Sequence, residues 1–596
     1  MPSARDVVTR WPALQTPARH ARLHETIRLA PGPLLSTLTL RAADAERAAA
    51  GLWRRDPSVW SADTAVRQAI LNRLGWLDSP FAMADALDRL RTFASAVTRD
   101  GFADVVLLGM GGSSLAPDVL RAVLGVHPAS PRFHMLDSTD PAAVQAASTP
   151  PEHTLYLLAS KSGTTIEPSS LAAHFRWVLE DAGIQRWADH FVAITDEGTD
   201  LARRARAEGF RDLFINPGDI GGRYSALSFF GLVPAALMGQ DLDALVGWGV
   251  AMLSASEPGS GSPGSPGSLT GVLTNPSVAL GLAIGGAAAD GRDKLTLMLP
   301  PALEPFGLWV EQLIAESTGK HGTGVIPIAG ETVAPAAEYG DDRFFVSARF
   351  DSERSPGLHD LEAANVPIAE ITLAEPSALG AEFVRWEIAT AIAGALLHIN
   401  PFDEPNVAQA KSATRTLLDG YASQGRLDVP APDRTTSTGA TLTVTAAARR
   451  KLRGAGPESV LTLLRPGDYL AVLAYLAPDP ELADDVRRFR HAVRAATHAA
   501  TMFGYGPRYL HSTGQLHKGG PNTGVFVLIS AAPRADVAIP GEGYSFGTLE
   551  LAQALGDFAS LDATTRRAVH VHLPAPDRRL LAEFMDSWLE RVTRST

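Results

Sequence analysis

Apolar and polar positions along this chain follow two periods. Short runs rich in Val, Leu and Ile recur at Val105–Leu108, Phe133–Leu136, Thr154–Ala159 and Phe191–Ile194. Bounded by polar turns, they predict strands buried on both faces. Helical spacing fills the intervals. The clearest helix starts at Ser79 with Pro80 in its first turn; Met83, Leu87, Leu90, Ala94 and Val97 share one face, and Asp100-Gly101 ends it. Strands alternating with helices predict right-handed crossovers and parallel sheets covered on both sides, an α/β fold. The alternation resumes at Leu295–Leu299, Phe344–Val346 and Ile368–Leu373, and again at Tyr469–Ala474 and Gly524–Ile529. Helices are predicted over 306–317, over 378–399, which is apolar on most sides, and over 485–502.

This pattern divides the chain. Residues 1–78 read as a mainly helical lead, 79–250 as a first α/β unit and 271–425 as a second. A flexible Gly/Ser/Pro linker at 251–270, centred on Glu257–Ser268, separates them. Residues 426–596 form a C-terminal α/β extension. A chain of 596 residues is long enough for two to four domains.

Composition narrows the classes. There is no cysteine, which excludes disulfides, thiolate metal sites and thiol catalysis and suits the cytoplasm. A net charge of −12 argues against a general nucleic-acid partner. No apolar run approaches the ~18 residues of a membrane span, and the Arg-rich start is not a secretory signal.

Candidate chemistry lies where predicted strands end. Ser160-Lys161-Ser162-Gly163-Thr164-Thr165 follows one strand and precedes a helix, offering hydroxyls, amides and an ammonium to an anion, most plausibly a phosphate. An ordinary βα turn with a capping hydroxyl is the other reading of that stretch. Gly109–Ser114, with Gly112 and Ser113, follows another strand on the same edge, where parallel sheets bind ligands. Gly221-Gly222-Arg223 allows a sharp turn that presents a guanidinium. Gln312 and Glu316 share a helix face, and Glu316 is a candidate general base. Tyr509–Thr523 reads as a long polar loop holding His511, Gln515, His517 and Lys518, and loops of that kind are more often functional than idle. Taken singly, Arg223 and Lys411 read as surface side chains and the histidines as structural. The glycines at 109–112 miss dinucleotide spacing, and there is no Walker A or HExxH motif, so neither cofactor nor metal is expected.

Taken together and in order, five stretches resemble phosphoglucose isomerases. Gly109–Ser113 is similar to that family's first sugar-binding loop, Ser160–Thr165 to its phosphate loop and Gly221–Ser225 to its arginine turn. Glu316–Lys320 resembles its catalytic-glutamate turn, with Gln312 at its substrate-binding glutamine. Asn400-Pro401-Phe402-Asp403 through Lys411 resembles the segment leading to its active-site lysine. The resemblance implies two sugar-isomerase domains, each a mostly parallel sheet between helices, and interconversion of glucose 6-phosphate and fructose 6-phosphate. It implies catalytic roles for Glu316, Arg223, Lys411 and a histidine, and substrate binding by Gly112, Ser113, Ser160, Lys161, Ser162, Thr164, Thr165, Gln312 and His511. A homodimer is admitted on the same ground. The family's histidine has a Gly-Gln-His context between the glutamate and the lysine. Here the similar stretch is Gly514-Gln515-Leu516-His517, in the extension, and we assign ring opening to His517 ahead of His511. This layout looks like the isomerase half of bifunctional transaldolase/phosphoglucose isomerases, although about 100 leading residues cannot hold a barrel of ~200. Rival readings are an isomerase of a related sugar phosphate such as mannose 6-phosphate, a non-catalytic sugar-phosphate sensor, and a paralogue whose extension serves interaction. In the last case Tyr509–Thr523 lies away from the other motifs.

Overall fold

The computed structural model describes residues 10–594, apart from 12–13, 15, 261–264, 266 and 352–356. An N-terminal strand β1 (Ile27–Ala30) precedes the first sheet, which is built from β2 (Asp104–Gly109), β3 (Arg132–Leu136), β4 (Thr154–Ala159), β5 (Phe191–Asp196) and β6 (Asp212–Asn216). Its order is β3-β2-β4-β5-β6, parallel throughout. Every residue of β2 and β4 is buried, as helices on both faces require.

The second sheet holds β7 (Lys294–Met298), β8 (Ile326–Ile328), β9 (Arg343–Phe350) and β10 (Ile368–Leu373), in the order β1-β10-β9-β7-β8. Only β1 runs antiparallel, pairing Ile27 with Ile371. The lead, expected to be mainly helical, therefore also closes the edge of a sheet far along the chain. The third sheet contains β11 (Arg434–Thr435), β12 (Thr441–Val444), β13 (Tyr469–Tyr475), β14 (Ala500–Tyr505), β15 (Gly524–Ala531) and β16 (Arg567–Leu573). Its order is β11-β12-β16-β15-β13-β14, with β13 to β16 parallel and β11 and β12 antiparallel.

One apolar core runs through the first two units, joining Val105 and Leu155 to Leu295, Val346 and Ile371. The extension has its own core around Val472, Val527, Val569 and Trp588. It also packs on both other units. Phe546 and Leu549 lie against the far face of the first sheet, and Leu516 and Phe526 join Ala315 and Ile326 of the second unit.

Two expectations need correction. The helix predicted over 485–502 is Pro480–Thr497; His498 then turns into the left-handed region at φ 59°, and β14 begins at Ala500. The polar loop predicted over 509–523 is largely ordered into a 3₁₀ turn at Arg508–His511 and a helix at Gly514–Gly519. Within the predicted linker, 261–264 and 266 lie outside the described residues. Positions 251–255 finish the helix Leu242–Ala255, and Ser268 caps the helix Leu269–Leu273.

Candidate active site

The first unit supplies four loops from one sheet edge. After β4, Ser160 Oγ donates to Thr165 Oγ1 at 3.1 Å, and Gly163 N–H donates to Ser160 Oγ at 3.2 Å. Gly163 holds φ 68°, where a Cβ would also meet Leu201 N at 3.0 Å. Thr165 caps the helix Ile166–Asp181 without spending its hydroxyl on it, so that hydroxyl can still donate to an anion; the first turn itself holds Pro168, which has no N–H. The Lys161 ammonium is engaged by partners on the wall of the same opening. It pairs with Asp196 at the end of β5 and donates to Gly218 O at 3.2 Å. After β2, a Cβ on Gly111 would lie 2.6 Å from His511 O, and one on Gly112 would lie 2.1 Å from Gly222 O. Only glycines let these three loops meet.

The candidate reacting groups stand further along. Arg223, 4 % exposed, is held from four sides. Its Nε donates to Ser317 Oγ at 2.8 Å, Nη1 to Glu404 at 3.0 Å, and Nη2 to Pro401 O at 2.8 Å and Asp403 O at 2.9 Å. Glu316 Oε1 lies 3.5 Å from Nη1. Burial pushes the Glu316 carboxyl up; the Arg223 charge opposes this and the Glu404 charge adds to it. The helix Glu304–Thr318 carries both Gln312 and Glu316, and Gln312 Nε2 donates to Glu316 Oε2 at 3.2 Å and to His511 O at 2.7 Å. Gln312 Oε1 is buried without a partner among the described residues, an acceptor left for a ligand hydroxyl.

His511 enters from the extension. Its Nε2 lies 2.9 Å from Glu167 Oε1, which also accepts from Gln553 at 2.7 Å. Burial works to raise the Glu167 carboxyl, but the His511 charge and hydrogen bond outweigh it and hold the group below its ordinary range. His517 lies elsewhere. It is 1 % exposed, has no hydrogen-bond partner on either ring nitrogen among the described residues, and packs on Phe526 with ring centroids 5.1 Å apart. Burial, with Lys518 and Arg566 nearby, drives its pKa well below the usual value, so it stays neutral. It borders a separate cavity of about 460 Å³ with Glu311, Arg490 and Arg508. The expectation that His517 is the acid is therefore corrected on position and on charge.

One cavity of about 390 Å³ joins these groups, within the ~300–1,000 Å³ common for small-molecule sites. Gly112, Ser113, Ser160, Lys161, Ser162, Thr165, Arg223, Gln312, Glu316, Lys411 and His511 line it. Thr164 is exposed beside Ser162 and is not part of the wall. Lys411 is exposed on the helix Val407–Gln424, and its charge is felt by Glu167. Four residues missed in the sequence also belong to the site: Arg73, Asp196 and Glu404 line the wall, and Glu167 backs His511. Glu167 had a signal, following Thr165 by two residues; nothing local marks Arg73. Among the described residues no group of three His, Asp or Glu side chains could hold a metal, and no helix is long and apolar enough to cross a membrane.

The family model for phosphoglucose isomerase matches residues 81–250. A glucose-6-phosphate isomerase of Rubrobacter xylanophilus is 31% identical over 387 residues, 56% of this chain and 85% of that one. Another, from Synechococcus, is 28% identical over 393 residues, 57% of this chain and 71% of that one. Among solved structures, a hypothetical protein of Thermus thermophilus superposes with a TM-score of 0.51 at 25% identity, covering 65% of this chain and 99% of that one.

Proposed function

We propose that this chain, which belongs to the phosphoglucose isomerase family, reversibly converts D-glucose 6-phosphate to D-fructose 6-phosphate through an enediol, the aldose–ketose step of glycolysis and gluconeogenesis. The observation that carries this is the convergence of a base, a buried guanidinium, a carboxylate-backed histidine and a hydroxyl loop on one cavity.

The hydroxyls and amides of the loop at 160–165 receive the 6-phosphate. His511 moves a proton between the anomeric hydroxyl and the ring oxygen, oriented by Glu167, and Lys411 faces the same end. In the open sugar, Glu316 takes the proton from C2; the C–H electron pair forms the C1–C2 double bond, the C1=O1 π pair moves onto O1, and O1 takes a proton, giving the enediol. O2 then gives up its proton and its electron pair forms the C2=O bond, while the C1–C2 π pair takes the proton back from Glu316 at C1; the proton lost at O2 balances the one gained at O1, and the ketose is complete. Arg223 offsets the negative charge that develops on oxygen. A carboxyl whose pKa is raised by burial holds the transferred proton more firmly, which suits a base at neutral pH. These groups come from a single chain. A sensor needs the phosphate loop alone, not a base set against a guanidinium. A hexose phosphate substrate and a chain without cysteine both fit the cytoplasm.

A coupled assay on fructose 6-phosphate tests the reading. Wild type is expected to turn over, and Glu316→Gln to lose on the order of 10³-fold or more in kcat with KM little changed. An inactive wild type, or a Glu316→Gln variant of full activity, overturns it.

A further inference from the structure

We infer that Arg73, delivered by the N-terminal lead, supplies the cation that binds the 6-phosphate; this rests on the isomerase reading above. A phosphate dianion seated among hydroxyls and amides still calls for a positive partner, and each of the other cations on this wall has other work. Lys161 is the member of the loop itself, yet its ammonium is committed to Asp196 and Gly218 O. Arg223 is spent on Ser317, Glu404 and two carbonyls at the reacting end. Lys411 stands on the side of Glu167.

Arg73 differs in each respect. It lines the cavity, is only partly buried, and forms no ion pair among the described residues. Its position is built rather than incidental. The next residue, Leu74, bridges to Ile220, and Gly75 N–H donates to Asp219 O at 3.1 Å. Gly75 lies so close to the Asp219 carboxylate that a Cβ there would sit 2.2 Å from it. The lead is thus clamped to the turn after β6. Because β4, β5 and β6 are neighbours in the sheet, that turn flanks the phosphate loop. The Arg73 side chain runs along Gly221, its Cδ 4.0 Å from where a Cβ would stand. Its charge also reaches Asp196, opposing the burial that raises that carboxyl. A planar guanidinium with paired donors suits phosphate oxygens better than an ammonium.

The test compares Arg73→Gln, Arg73→Lys and Lys161→Gln with wild type. Steady-state kinetics on fructose 6-phosphate are paired with calorimetric titration of inorganic phosphate, which needs no turnover. Arg73→Gln is expected to raise KM about 10- to 100-fold with kcat within threefold, and to weaken phosphate binding to the same degree. Arg73→Lys should recover part of both, and Lys161→Gln should weaken phosphate binding less than Arg73→Gln does. Unchanged KM and unchanged phosphate affinity in Arg73→Gln overturn the inference, as does loss of phosphate binding in Lys161→Gln alone. Arg73-dependent phosphate binding in a wild type that does not isomerise fructose 6-phosphate would instead sink the proposed activity and leave Arg73 standing.

Discussion

Glu316 and Glu311 sit five residues apart on one helix, and burial raises both carboxyls, to different ends. Glu316 faces the cavity with a guanidinium beside it. Glu311, 6 % exposed, accepts only the Ala329 N–H at 3.2 Å among the described residues and is pushed up to about 7 by burial, with Arg490 and Arg508 acting the other way. A folded-state value above the unfolded 4.5 means that the folded chain binds the extra proton between those limits. Stability is therefore expected to fall as pH rises from about 4.5 to about 7. Glu311→Gln keeps the acceptor and removes the titration. Relative to wild type it should gain up to about 3 kcal/mol at pH 8 and little at pH 4. Denaturant midpoints at the two pH values check this; a gap independent of pH would refute it. At this scale Glu316, Arg223 and Gln312 were legible because their neighbours form short motifs. Arg73 was not, because its relevance comes from a bridge to Ile220, and a chain position does not announce a tertiary neighbour. His511 and His517 are alike in sequence; in the fold His511 ends the 3₁₀ turn Arg508–His511 on the wall of the site, whereas His517 lies on the helix Gly514–Gly519 and borders the second cavity.

Among elements, the loops after β2 and β6 depend on contact too close for any side chain. Gly112→Ala would set a methyl 2.1 Å from the Gly222 carbonyl, beside the turn that aims Arg223. Backbone must shift, so activity is expected to fall at least about 100-fold, with a stability loss of about 1–3 kcal/mol. Kinetics and a thermal melt measure both, and near-wild-type kcat/KM would show that the turn yields freely. The buried parallel strands were readable because they are short apolar runs between polar turns. β14 was not, because the residue that ends the preceding helix in the left-handed region is His498 instead of the usual glycine. β16, Arg567–Leu573, interleaves His570 and His572 with its apolar residues, and so carried too little apolar signal. β8 holds a proline at an edge position, which weakens any strand reading.

For the molecule as a whole, the joints between units matter as much as the units. Glu331, after β8, accepts from Arg343 Nη1 at 2.9 Å and from the Thr501 hydroxyl of β14 at 2.9 Å, with Arg494 nearby. Burial raises this carboxyl, but three arginines outweigh it and hold it below its ordinary range. A lowered folded-state value contributes stability above about 4.5 that is lost as pH falls through it. Glu331→Gln is expected to cost about 3 kcal/mol at pH 7, with the gap closing in acid. Equal denaturant midpoints at pH 7 would show that the joint does not hold the second and third units together. The three sheets were legible from repeated alternation. The return of the extension to the cavity was not, since Gln515 reaches Gly319 O and Asn406 only in the folded chain. That return also sets an order in time. Glu316 and His511 are 195 residues apart. At ~5–20 residues per second of synthesis, the interval between them is roughly 10 to 40 s. For that interval the nascent chain carries an anion loop, a base and a guanidinium but no ring-opening acid. On the proposed roles, competence toward the cyclic sugar arrives last: a ribosome that stalls in the extension before His511 leaves behind a chain without the residue proposed to open the ring.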